Sequence, residues 1–284
     1  MPSHIFVRMG LWRESIQSNR ASVKAAVDAA RSGHPDIRYQ VHAMDFLQYS
    51  YLQAGYETSA RQVTEDLKNV VGADAGQIDN YQADFRARAV LELHRWKDAD
   101  SLIPGRQLRS QENTYWVRTI GTARNGDVAE AQKYLAMLEE VVAALQEKSM
   151  KKGPASSAGD LEVQEARAWV AFAQGKVDDA VRALRAAADS KDAQMVESLS
   201  MPAREMLADM LLESKHAPEA LIEYEGTLRE TPNRFDALYG AAHAAQSTGH
   251  PETARMYFAK LIAASVSLGD RPEIQEARIF LEGK

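Results

Sequence analysis

Apolar residues along this chain fall at helical intervals. Leu135, Leu138, Val142 and Leu145 recur three and four residues apart within VAEAQKYLAMLEEVVAALQEKS, which predicts one long second helix of a helical pair. Alternating runs of β-branched residues are missing, and Ala, Leu, Glu, Arg and Gln dominate, so strands are not expected. Pro35, Pro104, Pro154, Pro202, Pro232, Pro251 and Pro272 lie between the periodic segments. The pattern predicts an all-α protein.

A short phrase recurs where one helix would end and the next begin: a Gly or polar residue, four more residues, then a small one. It reads GLWRES from Gly10, GYETSA from Gly55, HRWKDA from His94 and GDVAEA from Gly126. It returns as GKVDDA from Gly175, KHAPEA from Lys215 and GHPETA from Gly249. A left-handed residue ends the first helix, polar residues start the second, and the small residue lets the two approach closely. Seven turns imply about seven antiparallel helix pairs, spaced by 45, 39, 32, 49, 40 and 34 residues. His94 and Lys215 stand where Gly is expected, so those two turns are expected to be looser or shifted by a residue.

With Pro232 before a first helix, Gly249 at its end, Ala254 at the crossing and Phe258 one turn on, TPNRFDALYGAAHAAQSTGHPETARMYFAKLIAAS resembles a tetratricopeptide repeat. The likeness is strongest over about 200–268 and looser upstream. The opening segment with HAMDFLQYSYLQAGY is similar to a group of largely uncharacterised bacterial proteins built from such repeats. The resemblance implies a single right-handed α-solenoid over 1–284, with first helices lining a concave groove. Pro272 would start a capping helix in which Ile274, Ala277, Ile279 and Phe280 cover the last repeat. The stretch EKSMKKGPASSAGD at 147–160 reads as a surface loop between the fourth and fifth pairs, irregular near 149–160.

Aligning the turns on the family pattern assigns groove positions. They are His4 and Arg8 in the first pair, His42, Asp45 and Tyr49 in the second, and Tyr81, Asp84 and Arg88 in the third. Trp116 and Trp169 align with the groove further on, as do Glu205, Asp209, Tyr239 and His243. Two His and two Asp with basic and phenolic neighbours can in principle bind a metal or serve as acid and base. The plainer alternatives are ion pairs such as Asp84 with Arg88, solvated side chains, and Trp residues packed in the core. Repeat proteins that grip a C-terminal carboxylate use spaced Lys and Asn on first helices, a set these positions do not carry. Acidic and aromatic groove residues suit a basic or neutral peptide, or another protein's helix.

Composition narrows the classes. Lys and Arg number 34 against 40 Asp and Glu, a net charge of -6, which argues against a general nucleic-acid binder. Lys148, Lys151 and Lys152 form a basic cluster inside the expected loop. Cysteine is absent, which excludes disulfides, thiolate metal sites and a thiol nucleophile. No apolar run suits a bilayer, and no signal pattern opens the chain. No Walker loop, GxSxG elbow or HExxH is present, and GADAG at 72–76 reads as a turn.

The expectation is a cytoplasmic, non-enzymatic scaffold that binds a protein or peptide and needs no cofactor, with no nucleic-acid or membrane partner. The alternative is a small-molecule or metal-dependent hydrolytic site on His4, His42, Asp45 and Asp84. One feature suggests self-association. Only nine residues precede Gly10, so the first repeat reads as truncated, and Ile5, Phe6 and Met9 would have little upstream to pack against. That exposed apolar end is expected to favour a homodimer.

Overall fold

The structure is a computed structural model that describes residues 2–150, 159–194, 199–265 and 269–283. The described residues form α-helices and short 3-10 turns, with no strand among them. In chain order the helices are α1 (Pro2–Arg8), α2 (Trp12–Arg31), α3 (Ile37–Gln53), α4 (Glu57–Asp66), α5 (Ala75–Glu92), α6 (Leu108–Arg124) and α7 (Val128–Met150). They continue as α8 (Asp160–Ala173), α9 (Val177–Gln194), α10 (Ala203–Glu213), α11 (Ala217–Glu230), α12 (Phe235–Ser247), α13 (Pro251–Ala264) and α14 (Pro272–Glu282). Helices adjacent in sequence pack on one another within α1–α4, within α5–α9 and within α11–α14.

All seven expected turns close in the same way. Gly10, Gly55, Gly126, Gly175 and Gly249 take positive φ, and so do His94 at 49° and Lys215 at 67°. At Gly10 the turn N–H bonds Val7 O, and the next N–H, of Leu11, reaches back to Phe6 O. The same two bonds recur at each of the other six turns, His94 and Lys215 included. The register of these two turns is therefore that of the others. The small residue five positions on is buried every time: Ser15, Ala60, Ala99, Ala131, Ala180, Ala220 and Ala254 are at most 1% exposed. At one crossing, a Cβ on Gly121 of α6 would lie 2.2 Å from Ala99 Cβ.

Two expectations need correcting. The third turn leads not into an α-helix but into a six-residue 3-10 helix, Trp96–Ser101. Helix α7 runs through Met150, so the expected loop at 147–160 begins later; residues 151–158 of it lie outside the described residues. The GADAG turn is as expected: Gly72 is left-handed, and Asp74 caps α5 in a box with Gln77.

The chain divides into two compact units. Unit 2 is Asp74–Ala203, and unit 1 combines Met1–Ala73 with Arg204–Lys284. Unit 1 joins the first helices to the last third of the sequence through specific contacts. The Gly10 turn lies against Pro232 and Asn233, so tightly that a Cβ on Gly10 would fall 1.9 Å from Pro232 O. Trp12 Nε1 donates to Asn233 O at 2.8 Å, and Asn233 Nδ2 donates back to Gly10 O at 3.2 Å. Phe235 N–H reaches Gln53 Oε1, and the Asp270 carboxylate accepts the Glu57 and Thr58 N–H groups at the start of α4.

The opening is thus covered only in part. Ile5 and Met9 are 61% and 54% exposed, whereas Val7 and Trp12 are buried. Helix α14 covers α13 as expected of a cap, and it buries Ile274 and Ala277. Ile279 points away from that face and stays exposed.

Candidate binding face

Measured back from each turn residue, the expected groove residues share a register. Tyr81, Asp84 and Arg88 stand 13, 10 and 6 residues before His94, and His42, Asp45 and Tyr49 stand at the same distances before Gly55. These offsets put the three on one face of a first helix. What becomes of that face differs between the units.

In unit 1 most of these positions are used up inside the fold. Tyr49 is buried, and its hydroxyl accepts Arg234 Nη1 at 2.9 Å. Arg234 is itself fully buried and donates from Nε to Glu205 at 2.6 Å. Asp209 accepts the Tyr224 hydroxyl at 2.7 Å. Asp236 holds Arg271 through both carboxylate oxygens, with Glu273 on the other side and the Phe235 ring beneath the guanidinium. Tyr239 donates to Glu276 of α14, and His243 Nε2 lies 3.1 Å from the same carboxylate. Tyr49, expected as a groove anchor, is therefore an internal strut. His4 and His42 remain half-buried, their Nε2 atoms 3.1 Å apart, both rings against Phe46. Asp45 is half-buried and Arg8 exposed.

In unit 2 the first helices α5, α6 and α8 pack in sequence order. Tyr81, Asp84 and Arg88 are half-exposed on α5, and Asn113 of α6 donates to Asp84 at 3.4 Å. Arg88 extends over the Phe85 ring. Trp116 and Trp169 are 3% and 0% exposed, so the packing alternative describes them, not an open anchor role. The Arg124 guanidinium lies 4.2 Å from the Trp96 ring centroid and 4.3 Å from that of Trp169.

Beside these indoles sits a charged group that the sequence reading passed over. Glu165 of α8 is fully buried, with Lys191 Nζ of α9 at 2.8 Å; Lys191 also reaches Glu162 at 3.2 Å and lies 5.7 Å above the Trp116 ring. Burial pushes the Glu165 carboxyl up to about 7; Lys191 opposes the shift, Glu162 adds to it, and the Trp116 indole N–H opposes it least. Burial alone would lower Lys191, but the two carboxylates outweigh it and hold the ammonium above its ordinary range. Glu112 of α6 is raised as well, by burial against the opposing pull of Arg109, with Glu162 pushing further. The signal was available: Glu162 and Glu165 stand 13 and 10 residues before Gly175, the register of Tyr81 and Asp84.

Among the described residues, no group of three or more His, Asp or Glu is placed to hold a metal ion, and no helix is long and apolar enough to cross a membrane. No protein-family model matches the chain, and no curated protein sequence matches it.

Proposed function

We propose that the protein is a non-catalytic, tetratricopeptide-like scaffold that docks a cationic segment of another protein on the α5–α6–α8 face of unit 2. The seven left-handed turns, each followed by a buried small residue, support the repeat reading. The observation that carries the function is a contrast. Register positions at Tyr49, Glu205, Asp209 and Asp236 of unit 1 are buried in internal pairs, whereas Tyr81, Asp84, Arg88, Asn113 and Glu162 of unit 2 are half-exposed. Those positions present acidic, amide, phenolic and guanidinium groups, with the Glu165 carboxyl buried behind them. Tyr81 offers aromatic area, and the carboxylates set the sign of the partner's charge.

Fluorescence anisotropy with a labelled lysine-rich peptide and its glutamate-rich counterpart tests this. The lysine-rich peptide is expected to bind, to weaken with salt, and to lose about tenfold in affinity on combining Asp84→Asn with Glu162→Gln. Equal binding of both peptides, or indifference to the double variant, would overturn the proposal.

A further inference from the structure

We propose that His4 and His42 form a two-imidazole site for a borderline transition-metal ion, of the Cu2+ and Zn2+ class. This rests on unit 1 alone and is independent of the docking face.

The two imidazoles come from different helices, α1 and α3, and their Nε2 atoms face one another at 3.1 Å. Two nitrogen ligands at about 2.0–2.1 Å from one ion lie about 2.9 Å apart at a right angle and about 3.3 Å apart at the tetrahedral angle. The observed separation falls between these values, so the spacing of the two nitrogens matches that of two cis ligands on one ion. Phe46 lies against both rings, at centroid distances of 4.4 and 4.9 Å, and fixes their orientation. That preorganisation distinguishes the pair from two surface histidines that meet by chance.

Both rings are half-buried, so solvent reaches the pair and water can fill the remaining coordination positions. Nearby charges are of both signs, Arg8 one turn beyond His4 and Asp45 one turn beyond His42. With imidazole donors and no thiolate, the site favours Cu2+ over Zn2+ and takes Mg2+ poorly.

The test is titration of the full chain with Cu2+ near neutral pH in a non-coordinating buffer, followed by electron paramagnetic resonance, and with Zn2+ by calorimetry. One equivalent of Cu2+ should bind with hyperfine coupling to two nitrogens, tighter than Zn2+ and unaffected by excess Mg2+. His4→Gln and His42→Gln should each weaken Cu2+ by at least about tenfold, while His250→Ala, at the N-cap of α13, leaves it unchanged. Circular dichroism of each variant identifies any that fails to fold, and His4→Gln on the short first helix then decides alone. If no stoichiometric Cu2+ binds, or if both Gln variants bind as wild type does, the pair is an ordinary N–H···N hydrogen bond and the proposal fails.

Discussion

The two units bury ionised groups in opposite ways. In unit 1 the buried cations are arginines held by several partners at once. Arg234 bonds Glu205 and Tyr49, and Arg271 bonds Asp236 through both oxygens and Glu273 besides. In unit 2 the buried anion Glu165 meets a single ammonium, and its carboxyl is left titrating near neutrality. A planar guanidinium satisfies two carboxylates in fixed geometry, whereas a lysine supplies a point charge on a flexible stem. The first arrangement fastens segments distant in sequence; the second keeps charge poised beside a half-exposed face. The offsets that serve architecture at Tyr49 and Glu205 in unit 1 carry half-exposed side chains at Arg88 and Asp84 in unit 2.

Removing one arginine should break the comparison most forcibly. Arg234→Met leaves Glu205 buried without its cation, and is expected to cost about 3–5 kcal/mol by urea denaturation. Lys191→Met in unit 2 should cost less, because Glu165 is already close to accepting a proton and can neutralise itself. Equal losses would mean that the two buried charges are handled alike.

Next in size is a contrast between turns. Gly126 is left-handed at φ 82°, with nothing within 4 Å of an added Cβ, so Gly126→Ala should cost about 1–2 kcal/mol from backbone strain alone. Gly10→Ala meets the same strain and drives its methyl into the Pro232 carbonyl, adding about 2 kcal/mol. If the two glycines cost the same, the contact of the Gly10 turn with residues 232–233 is not tight.

These turns also show what sequence can and cannot reveal. Each is written locally, in the residue that must turn left-handed and the small residue five positions later, and His94 and Lys215, expected to be looser or shifted by a residue, keep the common register. Unit 1 is not written locally. Gly10 and Pro232, or Tyr49 and Arg234, are complementary only once both segments are folded, and no periodicity links positions so far apart. Tyr49 was accordingly placed in an open groove. The Glu162 and Glu165 pair is legible from the shared register, at the offsets from Gly175 that Tyr81 and Asp84 have from His94.

A smaller effect is a pH dependence peculiar to unit 2. Glu165 titrates from 4.5 when unfolded and near 7 when folded, so between those values the folded chain binds more protons. Its contribution is therefore greatest below 4.5 and is lost as pH rises towards 7, on the order of 1–3 kcal/mol. Glu112, raised in the same sense, adds to the slope. Glu165→Gln should flatten the pH profile of stability without abolishing it, and an unchanged slope would remove the poised carboxyl from the comparison.

The finest contrast concerns helix caps. Asp74 caps its own helix α5 from the preceding residue, whereas the start of α4 is capped by Asp270, more than two hundred positions away in sequence. Burial pushes the Asp270 carboxyl up, but hydrogen bonds from Thr58 and Glu57 outweigh that and hold it below the usual range. Its stabilising contribution is thus present above the ordinary carboxylate range and fades as pH falls through the depressed one. Asp74→Ala and Asp270→Ala should each cost about 1 kcal/mol. They should differ in where protection is lost. Asp74→Ala loosens the first turn of α5, while Asp270→Ala speeds hydrogen exchange at the Glu57 and Thr58 amides, which lose their acceptor. If exchange at Glu57 and Thr58 is unchanged in Asp270→Ala, the long-range cap is not what orders the start of α4, and the ends of unit 1 are held by Arg234 and the Gly10 turn without it.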